Sequence, residues 1–196
     1  MRALLLSGGI DSTSLAAWQH PDVVVTIDYG QRVAPAEIRA ATEIARRLAL
    51  RHEVVRVDAA ALGLGHLAGR PASDIATAPE WWPYRNQLLI TLAAMRLVPE
   101  GLSEILIGTV MGDDVHADGR PEFIAAIDRL LALQEGAVRV SAPAREMTSE
   151  RLLELTPNIL ELLPWTFSCH VSDFPCGQCR GCVKHQLVLD ASAHGR

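Results

Sequence analysis

Apolar residues in this chain alternate between short runs and longer periodic segments. The short runs predict strands of a buried parallel sheet at residues 3–6, 23–28, 51–57, 104–108 and 138–142. Segments with apolar residues three or four apart predict helices at 12–19, 36–50, 85–98 and 121–134, with another from Ser149 to about Pro157. Strands that alternate with helices predict an α/β fold with a Rossmann-like, doubly wound parallel sheet.

Two stretches lack a periodic pattern and are predicted to be loops. Residues 59–79 are rich in glycine and proline, and a segment of that length without a pattern indicates a functional or mobile loop. Residues 109–120 form the second loop and carry several acidic side chains and a histidine. We expect an α/β domain at 1–160 and a small C-terminal segment at 161–196 that packs on the same domain.

The length and composition narrow the class of protein. A chain of 196 residues is long enough for one domain with a substantial core, and 49% apolar with 21% charged residues is ordinary for a globular protein. The net charge of −5 gives no general attraction to a nucleic acid backbone. The sequence has no run of 18 apolar residues and no signal-peptide pattern, so we expect a cytoplasmic protein without a membrane partner.

The stretch from Ser7 to Thr13 joins the first strand to the first helix. Gly8 and Gly9 permit backbone angles that a Cβ forbids, and they let a ligand approach the main chain closely. Ser12 and Thr13 bring hydroxyls near the free N–H groups of the helix start. Free amides and the positive end of the helix dipole favour an anion, so the sequence predicts a phosphate or pyrophosphate site.

The turn sequence SGGIDS differs from two common nucleotide motifs, since it lacks the lysine of G-x-x-x-x-G-K-[ST] and the spacing of G-x-G-x-x-G. It resembles the SGGxDS signature of the PP-loop ATP pyrophosphatases, which adenylate a substrate and release pyrophosphate. The alternative is a Gly-Ser turn that opens an ordinary α/β helix. On the PP-loop interpretation, the nucleotide-binding residues are Leu6, Ser7, Gly8, Gly9, Ile10, Asp11, Ser12, Thr13, Ser14 and Leu15.

The four cysteines follow the pattern C-x6-C-x2-C-x2-C, at Cys169, Cys176, Cys179 and Cys182. In a reducing compartment such a cluster favours a metal site over disulfides. Four thiolates fit a closed, tetrahedral Zn²⁺ site of structural character. An iron–sulfur cluster uses the same ligands, and unmetallated thiols are the remaining alternative.

Five blocks of the sequence resemble the QueC family, the 7-cyano-7-deazaguanine synthases of queuosine biosynthesis. They are LSGGIDST from Leu6, DYGQR from Asp28, PYRN from Pro83, ADGRPEFI from Ala117, and the cysteine block from Trp165 to Cys182. Together the blocks span nearly the whole chain. A cysteine tail combined with a PP-loop start is the most discriminating feature.

The resemblance implies an ATP-dependent carbon–nitrogen ligase acting on 7-carboxy-7-deazaguanine. ATP adenylates the carboxylate, ammonia displaces AMP to give an amide, and a second ATP-driven dehydration gives the nitrile. Mg²⁺ is expected with ATP, and Asp11 is the nearest carboxylate that could help to hold it. QueC enzymes are typically homodimers, so we expect a homodimer.

The resemblance also implies a substrate site at the carboxyl ends of the strands. Its residues are Tyr29, Gln31, Arg32, Arg85, Asn86, Asp118 and Arg120. The implied catalytic residues are Asp11, Ser12 and Arg120, whose guanidinium could pair with a carboxylate through two hydrogen bonds. The alternatives are a surface or structural ion pair for each arginine, and simple packing for Trp81, Trp82 and Trp165.

Several positions depart from the family pattern. A family histidine is Val33 here, the cysteine of an Asp-Cys-Arg triplet is Gly119, and a common lysine is Arg145. The nucleotide and metal motifs are intact, whereas the substrate wall has changed. Three other functions therefore stay open: a QueC-like paralogue, as in bacterial defence systems, that makes a deazaguanine amide or joins the acid to another amine or a protein; a PP-loop tRNA-modifying or sulfur-transferring enzyme; or a nucleotide-binding scaffold whose zinc tail docks a partner.

Overall fold

The computed structural model describes residues 1–194 and contains a five-stranded, all-parallel sheet. Its strands are β1 (Arg2–Leu5), β2 (Val23–Asp28), β3 (Arg51–Arg56), β4 (Glu104–Leu106) and β5 (Arg139–Ser141). Their order in space is β3-β2-β1-β4-β5, with Ala3 of β1 paired to Val23 on one side and Ile105 on the other. The direction of winding reverses between β1 and β4, where ligands of doubly wound sheets bind.

Helices connect the strands and continue beyond the last one. They are α1 (Ile10–Gln19), α2 (Ala34–Arg47), α3 (Gly65–Ala68), α4 (Arg85–Leu97), α5 (Pro121–Ala132), α6 (Ser149–Leu155), α7 (Ile159–Leu162) and α8 (Arg180–His194). Pro121 occupies the first turn of α5, where its missing N–H costs no hydrogen bond. The α/β fold predicted from the pattern is therefore confirmed.

Each face of the sheet is covered by its own apolar cluster. On one face, Val25 and Ile105 pack with Ile90 of α4 and Ile127 of α5. On the other face, the side chains come from β1, β2, β4 and from helices α1, α2 and α6: Leu4, Val24, Leu106, Leu15, Ile44 and Leu152. Because both faces are buried there, the inner strands β1, β2 and β4 carry near-continuous apolar runs rather than alternating ones, whereas the edge strands β3 and β5 include charged residues.

A third, smaller cluster fastens the C-terminal part of the chain to the sheet domain. Ile10 and Ala17 of α1 pack with Leu153 of α6, Leu162 of α7 and Val188 of α8. Helix α1 is therefore in direct contact with the cysteine-containing end of the chain. The boundary between residues 160 and 161 stays a prediction.

The structure corrects the predicted loops and tail. Residues 59–79 contain a 3-10 turn at Ala60–Leu62 and the short helix α3, and residues 109–120 contain two further 3-10 turns. Helix α8 was not predicted, because buried Val188 lies among exposed apolar residues that obscure the period, such as Leu187. No helix among residues 1–194 is long and apolar enough to cross a membrane.

Candidate active site

The turn after β1 depends on one glycine for its conformation and on the other for access. Gly8 has φ +81°, and a Cβ added there would lie 2.6 Å from Ala40 Cβ on α2. Gly9 has ordinary extended angles, φ −72° and ψ 161°, so the prediction of special backbone angles is wrong for this residue. Gly9 lines the cavity instead, where a bare backbone leaves room for a ligand.

Polar groups gather where α1 begins. Ser7 Oγ lies 3.2 Å from Ser12 Oγ, and the Ser12 hydroxyl donates to the Gly9 carbonyl at 3.1 Å. The amide of Thr13 donates to the same Gly9 carbonyl at 3.0 Å, whereas the earlier amides of the helix precede any intrahelical acceptor. These amides, with the helix dipole, form a site of positive potential suited to phosphate.

A cavity of about 340 Å³ opens in front of this turn. Its walls come from the ends of β1, β2 and β4, from the start of α4, and from the cysteine segment with the first turns of α8. The cavity therefore lies at the carboxyl ends of the strands, where the sequence predicts a site, and next to the switch point of the sheet. No single element supplies its polar lining, since further lining residues come from α2, from the segment before α4 and from the loop after β4.

Six of the ten predicted nucleotide-binding residues line this cavity: Leu6, Ser7, Gly9, Ile10, Asp11 and Ser12. The other four do not: Gly8 packs against α2, and the helical turn of α1 carries Thr13, Ser14 and Leu15 away from the cavity. Leu15 packs in a core cluster, and the hydroxyls of Thr13 and Ser14 are buried without a hydrogen-bond partner among the described residues. A direct contact of these side chains with phosphate is therefore not supported.

The predicted substrate residues separate into two groups. Tyr29, Arg85, Asn86 and Asp118 line the cavity, and Gln31, Arg32 and Arg120 do not. The guanidinium-bearing residues Arg32 and Arg120 are both exposed. The prediction that Gln31 and Arg32 line the crevice is therefore wrong, and the predicted catalytic role of Arg120 lacks support from its position.

Gln31 has a structural role in the turn after β2. Its Oε1 accepts from the amide of Tyr29 at 2.9 Å, and its Nε2 donates to the carbonyl of Ile27 at 3.0 Å. Nε2 also donates to Oε2 of Glu37 at 2.8 Å. Tyr29 in turn stacks edge-on against buried Trp82, with ring centroids 4.8 Å apart. Gln31 thus fixes the chain that presents Tyr29 and Glu37 to the cavity.

Other predicted side chains are placed by local contacts. Asp118 Oδ2 accepts from the amide of Asn86 at 2.9 Å, and the Asn86 side chain donates to the Asp118 carbonyl at 2.9 Å. This pair joins the start of α4 to the loop before α5. Trp82 is buried in the core, and Trp165 stacks under the guanidinium of Arg47 at 4.2 Å, so these two tryptophans have the packing role given as their alternative.

The four cysteines converge as a metal site requires. Their sulfur atoms all lie within 4.8 Å of one another, with 3.9 Å between Cys176 and Cys182 and 4.0 Å between Cys169 and Cys179. A tetrahedron with Zn–S bonds of about 2.3 Å has edges of about 3.8 Å. The thiols are free of disulfides, so the donor set and its spacing fit Zn²⁺.

Backbone amides point at the sulfur atoms of this cluster. The amides of His170 and Cys182 both donate to Cys179 Sγ at 3.4 Å, and the amide of Cys179 donates to Cys176 Sγ at 3.3 Å. Such donors stabilise thiolates and hold metal ligands in place. The main chain is therefore already folded around the position of an ion.

The cysteine segment forms a wall of the cavity. The amide of Phe167 donates to the Gly8 carbonyl at 2.8 Å, and Ser168 Oγ lies 2.9 Å from His185 Nδ1. A Cβ on Gly181 would overlap the Ser168 carbonyl oxygen. Helix α8 therefore packs against the segment at 167–168 as closely as a glycine allows. The metal-type cluster and the phosphate-type turn thus form one continuous structure.

Lys184 of α8 is a cavity residue that the sequence analysis missed. Its Nζ lies 2.8 Å from Asp11 Oδ2 and 3.3 Å from Asp113 Oδ1. Burial lowers the pKa of Lys184, but the two carboxylates outweigh it and leave the pKa raised. The ammonium is therefore fixed beside the turn. Lys184 lies 173 positions after Asp11 in the sequence, so no local motif predicts that the two residues form a pair.

Glu80, His116 and Arg180 form a second cluster of charged and polar side chains in the lining of the cavity. Glu80 Oε1 is 3.1 Å from Arg180 Nη1 and 3.4 Å from His116 Nε2. Burial alone would raise the pKa of Glu80, but the hydrogen bond from His116 and the nearby cationic groups lower it to about 2. His170 is next to this cluster, and burial lowers its pKa to about 4, so its ring is neutral at neutral pH.

Replacing Glu80 with glutamine is expected to lower the free energy of unfolding by about 1–2 kcal/mol, because Arg180 loses a charged hydrogen-bond partner but stays partly hydrated. Because the folded pKa of Glu80 is depressed to about 2, its stabilisation is complete above the unfolded value of 4.5 and is lost as the pH falls towards 2. Urea unfolding at pH 7 and pH 3 measures both effects.

The control for this change is Glu154→Gln, which removes the same charge from an exposed pair with Arg151. We expect the control to change stability by less than about 0.5 kcal/mol. A Glu80 variant as stable as the wild type at pH 7 would contradict the proposed importance of the Glu80–Arg180 pair.

The chain is an α/β protein with a five-stranded parallel sheet, a polar cavity at the switch point of the sheet and four clustered thiols beside the cavity. A family model described as "Queuosine biosynthesis protein QueC" matches residues 2–191. The chain therefore belongs to the QueC family.

Several named relatives are similar over most of their length. The 7-cyano-7-deazaguanine synthase of Thiobacillus denitrificans is 33% identical over 204 residues, covering 91% of this chain and 88% of the relative. The protein of the same name from Stutzerimonas stutzeri is 30% identical, with 91% and 88% covered. The 7-cyano-7-deazaguanine synthase 1 of Desulfitobacterium hafniense is 28% identical, with 95% and 90% covered.

Proposed function

We propose that this chain is an ATP-dependent ligase that adenylates 7-carboxy-7-deazaguanine and joins its carbonyl carbon to ammonia. The amide is then dehydrated with a second ATP to give 7-cyano-7-deazaguanine, a step of queuosine biosynthesis. The observation that carries the proposal is the cavity of about 340 Å³, whose lining combines the turn after β1 with Tyr29 and with charged side chains such as Arg85. Membership of the QueC family supports the same substrate class.

The phosphate end of the cavity suits the first half of the reaction. A carboxylate oxygen is a poor leaving group until a phosphoryl group is attached to it, so the acid must meet the α-phosphate of ATP. The amides from Gly9 to Ser12 would bind the pyrophosphate, and their fixed dipoles would stabilise the charge that develops on it. Ser7 adds a hydroxyl at the same place, whereas the Ser12 hydroxyl is used by the Gly9 carbonyl.

Magnesium has suitable ligands beside this turn. Asp11 Oδ1 is buried without a hydrogen-bond partner in the described part of the chain, and Asp113 is the second carboxylate that Lys184 contacts. Carboxylate oxygens are the ligands that Mg²⁺ prefers, so Asp11 and Asp113 would hold it. When bound, the ion supplies positive charge to the phosphates. Lys184 contributes a second cation from the cysteine side.

The cysteine cluster would hold Zn²⁺ in a structural role. Four thiolates leave no open position for water or substrate on the ion. The main chain around the cluster places Ser168, His170 and Lys184 in the cavity wall. Zinc therefore supports the fold of the wall, and the chemistry takes place on the other side of it.

Two positions near the proposed substrate site differ from the usual family residues, and the structure around them fits the residues present here. Gly119 replaces a family cysteine, and a Cβ there would lie 2.7 Å from the Asp113 carbonyl, so this loop has no space for a side chain. Val33, which replaces a family histidine, is fully buried at the start of α2. The masses of the reaction products identify the acceptor amine and show whether the nitrile step follows.

The test is incubation of the purified protein with ATP, Mg²⁺, 7-carboxy-7-deazaguanine and ammonia, followed by mass spectrometry. Formation of AMP together with the amide or the nitrile is the expected result. ATP binding without AMP formation from this acid would contradict the proposal and favour the scaffold alternative. The homodimer stays a prediction, which sedimentation tests.

A further inference from the structure

Five carboxyl groups line the cavity, and four of them already have defined partners. Asp11 and Asp113 share Lys184, Glu80 pairs with Arg180, and Asp118 accepts a backbone amide. Glu37 is the fifth, and residues 1–194 place no cationic nitrogen within 4.0 Å of its carboxylate. Within the described residues, Glu37 therefore differs from Asp11, Asp113 and Glu80 in having no ion pair. It differs there from Asp118 in accepting no backbone amide, since its hydrogen-bond partner is the neutral side chain of Gln31.

The position of Glu37 is fixed from two sides. It lies in the first turn of α2, whose backbone packs behind the phosphate-site turn: a Cβ on Gly8 would lie 3.3 Å from the Glu37 carbonyl oxygen. Its Oε2 accepts from Gln31 Nε2 at 2.8 Å. Gln31 is itself anchored to the backbone of Tyr29 and Ile27, so the carboxylate is held in one orientation.

The surroundings of Glu37 give it the properties of a base at neutral pH. Burial raises its pKa to about 7, while the hydrogen bond from Gln31 and the charge of Arg85 act in the opposite direction. A base whose pKa lies near the working pH is half ionised and still takes up a proton readily. Glu80, which pairs with Arg180, is a much weaker base, because its pKa is lowered to about 2.

We propose that Glu37 is the general base that accepts a proton from the nitrogen nucleophile when the carbon–nitrogen bond forms. This inference rests on the proposed function. The nitrogen lone pair forms the new bond to the carbonyl carbon, and the bond from that carbon to the AMP oxygen breaks, with its electrons leaving on AMP. The proton that the nitrogen loses moves to the Glu37 carboxylate.

The test separates adenylation from acceptor attack in the Glu37→Gln variant. Exchange of labelled pyrophosphate into ATP, which reports adenylation, is expected to stay near the wild-type rate. Amide formation from ammonia is expected to fall by about 100-fold, the usual contribution of a general base. Hydroxylamine is a weakly basic nucleophile whose adduct loses its proton readily to water, so hydroxamate formation is expected to change little.

The pH dependence gives a second measurement. For the wild type, the acceptor rate per unit of unprotonated ammonia is expected to rise through about pH 7 as Glu37 ionises. Glu37→Gln should lose this rise, whereas Glu37→Asp, which keeps a carboxylate set back by one methylene, should retain it at a lower rate. Glu43→Gln is the matched control, since Glu43 is on the same helix and pairs with Arg46 and Arg47 outside the cavity.

The outcomes distinguish this inference from the function on which it rests. Pyrophosphate exchange that is absent in the wild type would contradict the proposed function itself. Exchange and ammonia-dependent rates that are both normal in Glu37→Gln would overturn only the role of Glu37. Equal loss of exchange, ammonia attack and hydroxylamine attack, with no pH rise in Glu37→Asp, would mean that Glu37 acts structurally and would also overturn it.

Discussion

Replacing Asp11 with asparagine is expected to lower the rate of AMP release by about 100- to 1,000-fold, the usual cost of removing one group that stabilises the charge of a transition state. Asp11 lies in the first turn of α1 and contacts Lys184 at 2.8 Å, while its other oxygen is buried and has no hydrogen-bond partner among the residues that the structure describes. An amide in its place holds neither Mg²⁺ nor the Lys184 ammonium equally well. Steady-state AMP release with saturating ATP measures the effect.

The control for Asp11→Asn is the same change at Asp74, an exposed residue of the loop before α4. This control should keep the wild-type rate, and both variants should unfold at close to the wild-type temperature. Unchanged AMP release in Asp11→Asn would contradict the assignment of the phosphate and magnesium site to this turn.

Replacing Cys179 with alanine is expected to abolish stoichiometric zinc binding and to weaken ATP binding together with it. Cys179 Sγ accepts from two backbone amides, and its segment carries Lys184 and Ser168 into the cavity wall. A structural zinc site contributes on the order of 10 kcal/mol to the folding of its segment. Its loss should therefore disorder the wall. Metal analysis, thermal unfolding and ATP titration measure the three consequences.

Gln178→Ala is the control for the cysteine variant, because Gln178 is the exposed neighbour in the same loop. It should keep its zinc and its ATP affinity. Chelation of the wild type should reproduce the cysteine variant, and added Zn²⁺ should reverse it. Full ATP affinity in a zinc-free protein would contradict the view that the metal supports the cavity wall.

The parts of this protein that local sequence encodes could be predicted. The apolar runs predicted all five strands to within about two residues. For the inner strands β1, β2 and β4 the reason is that a strand buried on both faces has a composition that solvent-facing segments do not share. The turn from Ser7 to Ser12 and the four cysteines were also predictable, because each site depends on residues close together in the chain. Both are motifs with a local chemical reason.

The remaining part of the cavity depends on contacts between distant segments. Lys184 meets Asp11, and Arg180 meets Glu80, only after α8 has packed on the sheet domain. Helix α8 itself was missed, so none of its cavity residues could be predicted. Gln31 showed the converse error, because a polar residue beside a strand end pointed to substrate whereas its side chain is used by the backbone.

The central claim is that the turn from Ser7 to Ser12 binds the phosphates of ATP. A crystal structure with Mg²⁺ and a non-hydrolysable ATP analogue tests it most directly. The account predicts phosphate oxygens within hydrogen-bond distance of the amides from Gly9 to Ser12, with Lys184 beside them. An analogue bound elsewhere at full occupancy, with these amides facing only water, would contradict it.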